Sequence, residues 1–283
     1  MKNFFELYRF FSEKKVSSLR LILYVCMGLF LSRTFQITLV VTDLLLVLSG
    51  ILFASILNDY FDYLKLGEKN RTAILLESGT ITKIQLLFLI TVPGITALIL
   101  LYLLYLLNIS AISLIMLFCS FTMSILYCTP PFRFKEKKIT GLIFPPLGIY
   151  LLFLQGVFIH GIPDLNSIII SINIFLFAWY LEFLHLADDA VTENELTKIN
   201  YRKSLNAAVT VCLTGTIVSL LSLYFSALSV IFIIFWIQRF LAIKHIRPHI
   251  LKSARRNIFS QIYCIEEFPV IIAACILQRI FLQ

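Results

Sequence analysis

Long apolar stretches alternate with short polar segments along almost the whole chain. A membrane-crossing helix needs about 20 mostly apolar residues, and by that rule we identify about nine such stretches. They lie at 18–37, 39–57, 84–107, 109–127, 142–160, 166–187, 205–224, 226–243 and 262–281. The gap at Asn108–Ile109 is so short that it predicts a tight helical hairpin. We therefore predict an all-α fold, a polytopic membrane helical bundle formed by one domain over residues 1–283.

The composition agrees with this pattern, because hydrophobic residues make up 59% of the chain and charged residues only 14%. These fractions are typical of integral membrane proteins and exclude an ordinary soluble domain. The net charge of +8 does not indicate nucleic-acid binding. The basic residues lie between the apolar stretches, where anionic lipid headgroups attract them. We expect membrane lipid, and no nucleic acid, among the partners.

The first 15 residues have a different pattern, in which Phe4, Phe5, Phe10 and Phe11 are interleaved with Lys and Glu. The segment lacks the uncharged central run of a signal peptide. It predicts an amphipathic helix over 1–15 that lies on the membrane surface.

The basic residues also predict an orientation. All but two of the 24 Lys and Arg residues, Arg33 and Arg279, fall on one side of the predicted spans. The positive-inside rule makes that side cytoplasmic. We therefore expect an integral protein of the bacterial inner membrane, with its N-terminus and both of the acidic clusters described next in the cytoplasm.

The first acidic cluster follows the second apolar stretch and consists of Asn58, Asp59 and Asp62. On a helix, Asp59 and Asp62 face the same way, and Asn58 lies one turn from Asp62. Their hard oxygen atoms suit Mg²⁺, which takes its other ligands from water and phosphate. The alternative is an ordinary solvated helix end, where Asn and Asp are common.

The second acidic cluster lies at the end of the sixth stretch and contains Glu182, Asp188, Asp189 and Glu193. Glu182, Asp189 and Glu193 fall close to one helical stripe. Carboxylates near lipid are usually retained for function. His185 lies one turn before Asp189 and either hydrogen-bonds to it or only packs at the interface.

Basic side chains near these acids provide a possible counter-charge for a diphosphate. The candidates are Arg71, Lys135, Lys198, Arg202 and Lys203. The alternative is that they only reflect the basic character of cytoplasmic loops.

These residues, taken in order, resemble the UbiA superfamily of intramembrane prenyltransferases over nearly the whole chain. Residues 58–62 resemble its first Asp-rich motif, and Asp189 with Glu193 resembles the second, with Glu in place of the last Asp. Residues 77–82 resemble the segment that starts the third span. Residues 127–135, YCTPPFRFK, resemble a Y-S-x-P-P-x-R-x-K stretch whose lysine corresponds to Lys135.

The resemblance implies helices around a central cavity, in which a prenyl diphosphate binds with Mg²⁺ at the two motifs. Asn58, Asp59, Asp62, Asp189 and Glu193 would be the metal ligands, with Asp62 and Asp189 catalytic. The basic candidates would stabilise the departing diphosphate. The isoprenyl group would pass to an aromatic acceptor, giving a lipid quinone or a related prenylated product.

The chain also departs from the family pattern. Leu66 stands where a third Asp is usual, and Glu68 substitutes for it only if the chain turns back near Gly67. The Arg-Pro expected before Ser78-Gly79 is absent. The chain is therefore a divergent member.

Three alternatives remain. A UbiA-type terpene cyclase would fold the prenyl chain onto itself, and a non-catalytic relative would keep only the fold. A membrane transporter would use the acids as an ion site, with helix breaks near the middle of the bilayer at Pro93-Gly94 and Pro145-Pro146.

Overall fold

The computed structural model describes residues 15–32, 36–67, 70–192, 201–250 and 276. Within these ranges it contains nine helices and no strand. The helices are α1 (Lys15–Leu31), α2 (Ile37–Leu66), α3 (Arg71–Glu77), α4 (Lys83–Leu106), α5 (Ala111–Cys128), α6 (Lys138–Val157), α7 (Leu165–Thr192), α8 (Tyr201–Ser222) and α9 (Ser229–Ile250). A short 3₁₀ turn, Phe134–Glu136, precedes α6.

Six of these helices, α2 and α4 to α8, are long and apolar enough to cross a membrane. Two shorter apolar segments, Leu21–Leu31 of α1 and Ser229–Ile243 of α9, correspond to the first and eighth predicted stretches. The all-α membrane fold is confirmed. The ninth stretch, 262–281, lies outside the described residues except for position 276, and so does the surface helix predicted over 1–15 apart from its last residue.

The helix boundaries follow local chemistry. Helix α2 ends at Gly67, whose φ of +64° is a conformation that glycine adopts readily and whose N–H donates to Tyr63 O. Helix α4 begins with a capping box in which Thr82 and Gln85 each bond the other's backbone N–H. Between α4 and α5 only four residues connect the two helices, including Asn108 with φ of +56°, which agrees with the short gap expected there.

The chain divides into two compact units. Unit 1 comprises Met1–Phe144 with Leu151–Gly161, and unit 2 comprises Pro145–Tyr150 with Ile162–Gln283. The single-domain organisation stays a prediction beside this division. In unit 1, α1, α2, α4 and α5 share a core that includes Val25, Leu46, Ala97 and Leu117. A Cβ placed on Gly28 would lie 2.2 Å from Phe153 O, so only glycine allows this close backbone approach.

In unit 2, a buried polar group connects α7, α8 and α9. The Asn173 side-chain oxygen accepts hydrogen bonds from Trp236 Nε1 at 2.8 Å and from Ser219 Oγ at 3.0 Å. Gly215 lies directly against the Trp236 indole, where a Cβ would come within 2.3 Å of the ring. This arrangement satisfies polar atoms that would otherwise be costly in an apolar interior.

The prolines that a transporter would use as helix breaks do not interrupt the described helices. Helix α4 continues through Pro93, and α6 continues through Pro145 and Pro146. Neighbouring groups can re-satisfy the backbone around proline in membrane helices. The breaks expected from the transporter interpretation are therefore not found.

Candidate functional site

The last three turns of α2 present the first acidic cluster. Asn58, Asp59 and Asp62 all lie on this helix, and the two Asp residues are buried, at 7% and 6% exposure. Asn58 Nδ2 donates to Asp62 Oδ2 at 3.0 Å, which confirms that these two positions share a helix face. A buried carboxylate requires compensating charge or hydrogen bonds.

Asp62 obtains that compensation from the segment before α6. Arg133 Nη2 lies 3.0 Å from Asp62 Oδ1, and Lys135 Nζ donates to the same oxygen atom. Lys135 Nζ also donates to Asn58 Oδ1 at 2.9 Å. Two cations therefore converge on one carboxylate, and we call Asn58, Asp62, Arg133 and Lys135 the Asp62 cluster.

Local backbone geometry positions the two cations. Arg133 adopts a left-handed conformation with φ of +35°, and its second guanidinium nitrogen, Nη1, donates to Phe61 O at 3.1 Å. Thr140 Oγ1 donates to Phe134 O at 2.9 Å, which ties the 3₁₀ turn to the first turn of α6. A Cβ on Gly141 would lie 2.7 Å from Lys135 O, so glycine is required where α6 passes beneath this turn.

A second layer of charge lies outside the cluster. Glu136 Oε1 lies 2.8 Å from Arg133 Nε, and its other carboxylate oxygen accepts from Lys65. The hydrogen bond from Lys65 lowers the pKa of Glu136 below its ordinary value, and the charges of Arg133 and Lys65 act in the same direction. Glu136 therefore remains ionised at neutral pH and pairs with Arg133 through Nε, whereas Asp62 pairs with it through Nη2.

Asn70 connects the first cluster to α3. Its Nδ2 donates to Asp59 O at 2.6 Å, and its Oδ1 accepts from Ala73 N, which caps the helix. This capping fixes where α3 begins, at Arg71. The Arg71 side chain and the whole of Glu68 lie outside the described parts of the structure, so their predicted roles stay predictions.

The second acidic cluster is placed on the C-terminal part of α7, which extends to Thr192. Glu182 is half-buried and His185 is exposed. The backbones of Asp188 and Asp189 are helical, but their side chains lie outside the described residues, as do Glu193 and Lys198 entirely. Arg202 falls in the first turn of α8, also without a described side chain. The convergence of the two clusters therefore stays a prediction.

Two residues with site-like surroundings are not among the candidates chosen from the sequence. Arg133 is part of the PPFRFK stretch, and its positive charge beside the Pro130–Pro131 turn could have marked it as a candidate site residue in the sequence. Asp43 is fully buried in α2, where its Oδ2 accepts from Gln155 Nε2 at 2.8 Å. A single carboxylate within an apolar stretch often indicates a functional residue, so Asp43 could also have been chosen from the sequence.

The oxygen atoms of the first cluster fit the donor chemistry of Mg²⁺. Asn58, Asp59 and Asp62 provide amide and carboxylate oxygens within little more than one helical turn, and Mg²⁺ completes its shell with water and phosphate. Among the described residues, no group of three or more His, Cys, Asp or Glu side chains is close enough to hold a metal by itself. A metal here would depend on further ligands from a bound anion. Asp62 would also have to bind the metal in place of Lys135 or Arg133.

Comparison with solved structures identifies the fold. No family model matches the sequence, and no curated protein is detectably similar to it. A UbiA homologue from Archaeoglobus fulgidus superposes with a TM-score of 0.72 over 97% of this chain and 98% of that one, at 15% identity. The chain has the UbiA fold.

Two further structures of the Archaeoglobus fulgidus UbiA homologue are similar to this chain. One is bound to GPP and Mg²⁺ and the other to DMAPP and Mg²⁺; each has a TM-score of 0.69 and covers 93% of this chain and 96% of that one. The identities are 15% and 16%. The resemblance drawn from the motifs is confirmed at the level of the UbiA fold. With six helices of membrane-spanning length in the described part of the chain, the protein is an integral membrane protein.

Proposed function

We propose that this protein is a divergent UbiA-superfamily enzyme that transfers an isoprenyl group from a prenyl diphosphate to an aromatic acceptor within the membrane. The observation that carries the proposal is the convergence of Arg133 and Lys135 on the buried Asp62 carboxylate. A paired cation site at the end of a membrane helix suits a diphosphate, which can replace a carboxylate as the partner of both cations. The UbiA fold, seen with GPP and Mg²⁺ in the archaeal homologue, supports the same assignment.

The chain's own residues would act mainly on the leaving group. Arg133 offers a planar fork that is held by Phe61 O and Glu136, and Lys135 offers a point charge that bonds Asn58 and Asp62. Both cations are in position before substrate arrives, and preorganised charge of this kind stabilises a departing anion. We propose that Arg71, Lys198 and Arg202 add to this charge.

Mg²⁺ is the proposed cofactor, held by Asn58, Asp59 and Asp62 and, from the second cluster, by Asp189 and Glu193. When bound, it would neutralise charge on the diphosphate oxygens. Asp62 and Asp189 are the proposed catalytic residues, and Glu182, His185, Asp188 and Glu68 remain further candidates.

The proposed setting is the bacterial inner membrane, with the N-terminus and both acidic clusters in the cytoplasm. The distribution of Lys and Arg supports this orientation. Labelling of single cysteines by a membrane-impermeant reagent in right-side-out and inverted vesicles tests it, with a cysteine introduced at exposed Lys137 as the reporter.

Catalysis is tested with purified protein in detergent, Mg²⁺, geranyl, farnesyl or longer diphosphates, and candidate aromatic acceptors. We expect diphosphate release that requires Mg²⁺ and is lost in Asp62→Asn and in Asp189→Asn. The matched control is Glu77→Gln, which removes an exposed carboxylate from α3. Release that continues in both Asp variants, or that ignores Mg²⁺, contradicts the proposal.

Product analysis separates the remaining alternatives. A cyclic hydrocarbon formed without acceptor identifies a terpene cyclase. Substrate flux into liposomes without diphosphate cleavage identifies a transporter, although the continuous helices through Pro93 and Pro145–Pro146 give that alternative no support.

A double-mutant cycle tests whether the two acidic clusters act on one substrate. Residues that act as a unit are strongly non-additive. The Asp62→Asn/Asp189→Asn double variant should therefore lose scarcely more activity than either single variant. Fully additive losses would show that the clusters act separately.

A further inference from the structure

Four aromatic side chains of unit 2 form a column along α7. The ring of Tyr150, on α6, lies 4.8 Å from that of Phe175, centroid to centroid. Phe175 meets Trp179 edge-on at 6.4 Å, and Trp179 lies 5.7 Å from Phe183. All three distances fall in the range of favourable aromatic pairs. We call Tyr150, Phe175, Trp179 and Phe183 the aromatic column.

The column occupies the less buried face of α7. Phe175, Trp179 and Phe183 are half-buried, whereas Phe177 and Tyr180, which lie between them in the sequence, are buried against α9. The packing of unit 2 therefore uses one set of α7 aromatics and leaves ring surface of the other set uncovered. Uncovered aromatic faces can accept a further ring.

Two polar groups of the column are unused. Within the described part of the chain, neither Trp179 Nε1 nor the Tyr150 hydroxyl donates a hydrogen bond. Trp236, the other tryptophan of the protein, instead donates from Nε1 to Asn173 Oδ1 at 2.8 Å. Buried indole and phenol groups usually have a partner. The two donors, on either side of Phe175, suit a ligand that carries oxygen atoms.

The depth of the column separates it from the aromatic belts of membrane proteins. The part of α7 that is long and apolar enough to span a membrane is Leu165–Ala187. Phe175 lies about 15 Å of helix rise from its start and about 18 Å from its end, and Trp179 lies about 12 Å from its end. Belt residues sit at headgroup level instead. Anchoring at the interface therefore does not account for these rings.

The column also points along α7 towards the second acidic cluster. Phe175, Trp179, Glu182 and Asp189 recur at helical spacing and so occupy one stripe of the helix. Asp189 follows Phe183 by six residues and Trp179 by ten, which is about 9 Å and 15 Å of rise. The proposed diphosphate site and the column are therefore about two to three turns apart on the same helix face.

We propose that the aromatic column binds the acceptor as a planar hydroxylated ring, to whose oxygen atoms Trp179 Nε1 and the Tyr150 hydroxyl donate. The inference rests on the proposed function and names the acceptor's binding site in unit 2. Ring faces alone would suit any apolar group, but two unused donors beside them select a ring that carries oxygen. Trp179 is the main specificity-determining residue, since it supplies both a face and a donor.

Binding can be measured without turnover, because the protein has two tryptophans and Trp236 is fully buried in the core of unit 2. The probes are hydroquinone and 1,4-dihydroxynaphthalene, kept reduced, and the control is cyclohexane-1,4-diol, which has the hydroxyl groups but no aromatic ring. We expect saturable quenching of tryptophan fluorescence by the two aromatic probes only. The quenching should disappear in Trp179→Phe, where Trp236 is the remaining fluorophore.

Kinetics then test the role of each group. Tyr150→Phe removes a hydroxyl, Phe175→Leu removes a ring, and Trp179→Leu removes a ring and a donor. We expect the KM for the acceptor to rise about two- to tenfold in the first two and about tenfold or more in the third, the scale of one hydrogen bond or one aromatic pair. The KM for the prenyl diphosphate should stay within about twofold.

Matched controls come from exposed positions of the same unit. Tyr224→Phe removes an exposed hydroxyl, and Phe240→Leu removes an exposed ring from α9. Neither should change the KM for the acceptor. Melting temperatures in detergent identify variants that fail to fold, and the conservative Tyr150→Phe and Trp179→Phe decide the question if a leucine variant does.

Several results would overturn the inference and leave the proposed function intact. These are diphosphate release by a wild type that shows no saturable quenching, equal quenching by cyclohexane-1,4-diol, and quenching that persists in Trp179→Phe. A raised KM for the prenyl diphosphate with an unchanged KM for the acceptor would assign the column to the donor substrate instead. Quenching of Trp179 by brominated lipid that the aromatic probes do not relieve would show that the column faces lipid. Saturable binding at Trp179 without diphosphate release from any prenyl diphosphate would contradict the proposed function but keep the ring site.

Discussion

Arg133 donates through Nη2 to Asp62 Oδ1 across 3.0 Å, and the two side chains are only 4% and 8% exposed. The ion pair joins the end of α2 to a segment 71 residues further along the chain. Lys135 pairs with the same carboxylate, so Asp62 keeps one cation when Arg133 is removed, and the loss is that of the Arg133 hydrogen bonds.

The first prediction concerns this pair. Arg133→Met should lower the free energy of unfolding by about 1–3 kcal/mol, because it removes the hydrogen bonds to Asp62 and Phe61 O while Lys135 still pairs with Asp62. In the inactive Asp62→Asn background, where no carboxylate charge faces Arg133, the same substitution should cost less. Denaturation in mixed micelles measures stability, and diphosphate release measures activity. An equal loss in the wild-type and Asp62→Asn backgrounds would show that the charge pairing is not what Arg133 supplies.

The second prediction compares two lysines of one loop. Lys135 contacts Asn58 and Asp62, whereas Lys137 is exposed and lies over the Phe134 ring, 4.7 Å from its centroid. Lys135→Met should reduce diphosphate release by about 100-fold or more, the scale seen when one preorganised donor to a developing anion is lost. Lys137→Met should stay within about twofold of wild type, since exposed charges contribute little. Equal losses in both variants would mean that only the overall charge of the loop matters.

The third prediction concerns the glycine beneath the 3₁₀ turn. Gly141→Ala places a methyl group 2.7 Å from Lys135 O and must displace the turn that carries Lys135 and directly follows Arg133. We expect weaker binding of inorganic pyrophosphate together with lower stability, of about 1–3 kcal/mol, as for other overpacked sites. Gly148→Ala is the control on the same helix, because its Cβ meets no atom within 4 Å. Unaltered pyrophosphate binding in Gly141→Ala would show that the turn tolerates the shift.

These relationships show how far the sequence determines the site. Apolar periodicity locates eight of the nine predicted stretches in helices, because span length is a local property of the chain. The Asn58–Asp62 contact follows from helical spacing alone. The Arg133–Asp62 pair is not predicted, since it depends on how a distant loop folds back onto α2. Buried partners at large sequence separation need the tertiary structure to be identified.

The last prediction concerns Asp43, the buried carboxylate near the other end of α2. Its Oδ2 accepts from Gln155 Nε2 at 2.8 Å, and Ser113 Oγ donates to Gln155 O at 2.8 Å, so three helices meet through polar contacts in an apolar interior. Gln155→Leu should lower stability by about 1–3 kcal/mol, because it leaves a buried acceptor without its donor. Asp43→Leu/Gln155→Leu should restore most of that loss, since replacing both partners by apolar groups is close to neutral. Asp43 lies about 28 Å of helix rise from Asp62, so the double variant should release diphosphate at the wild-type rate. Restored stability with lost activity would instead assign Asp43 a role in function, and melting curves run beside the activity assay distinguish the two results.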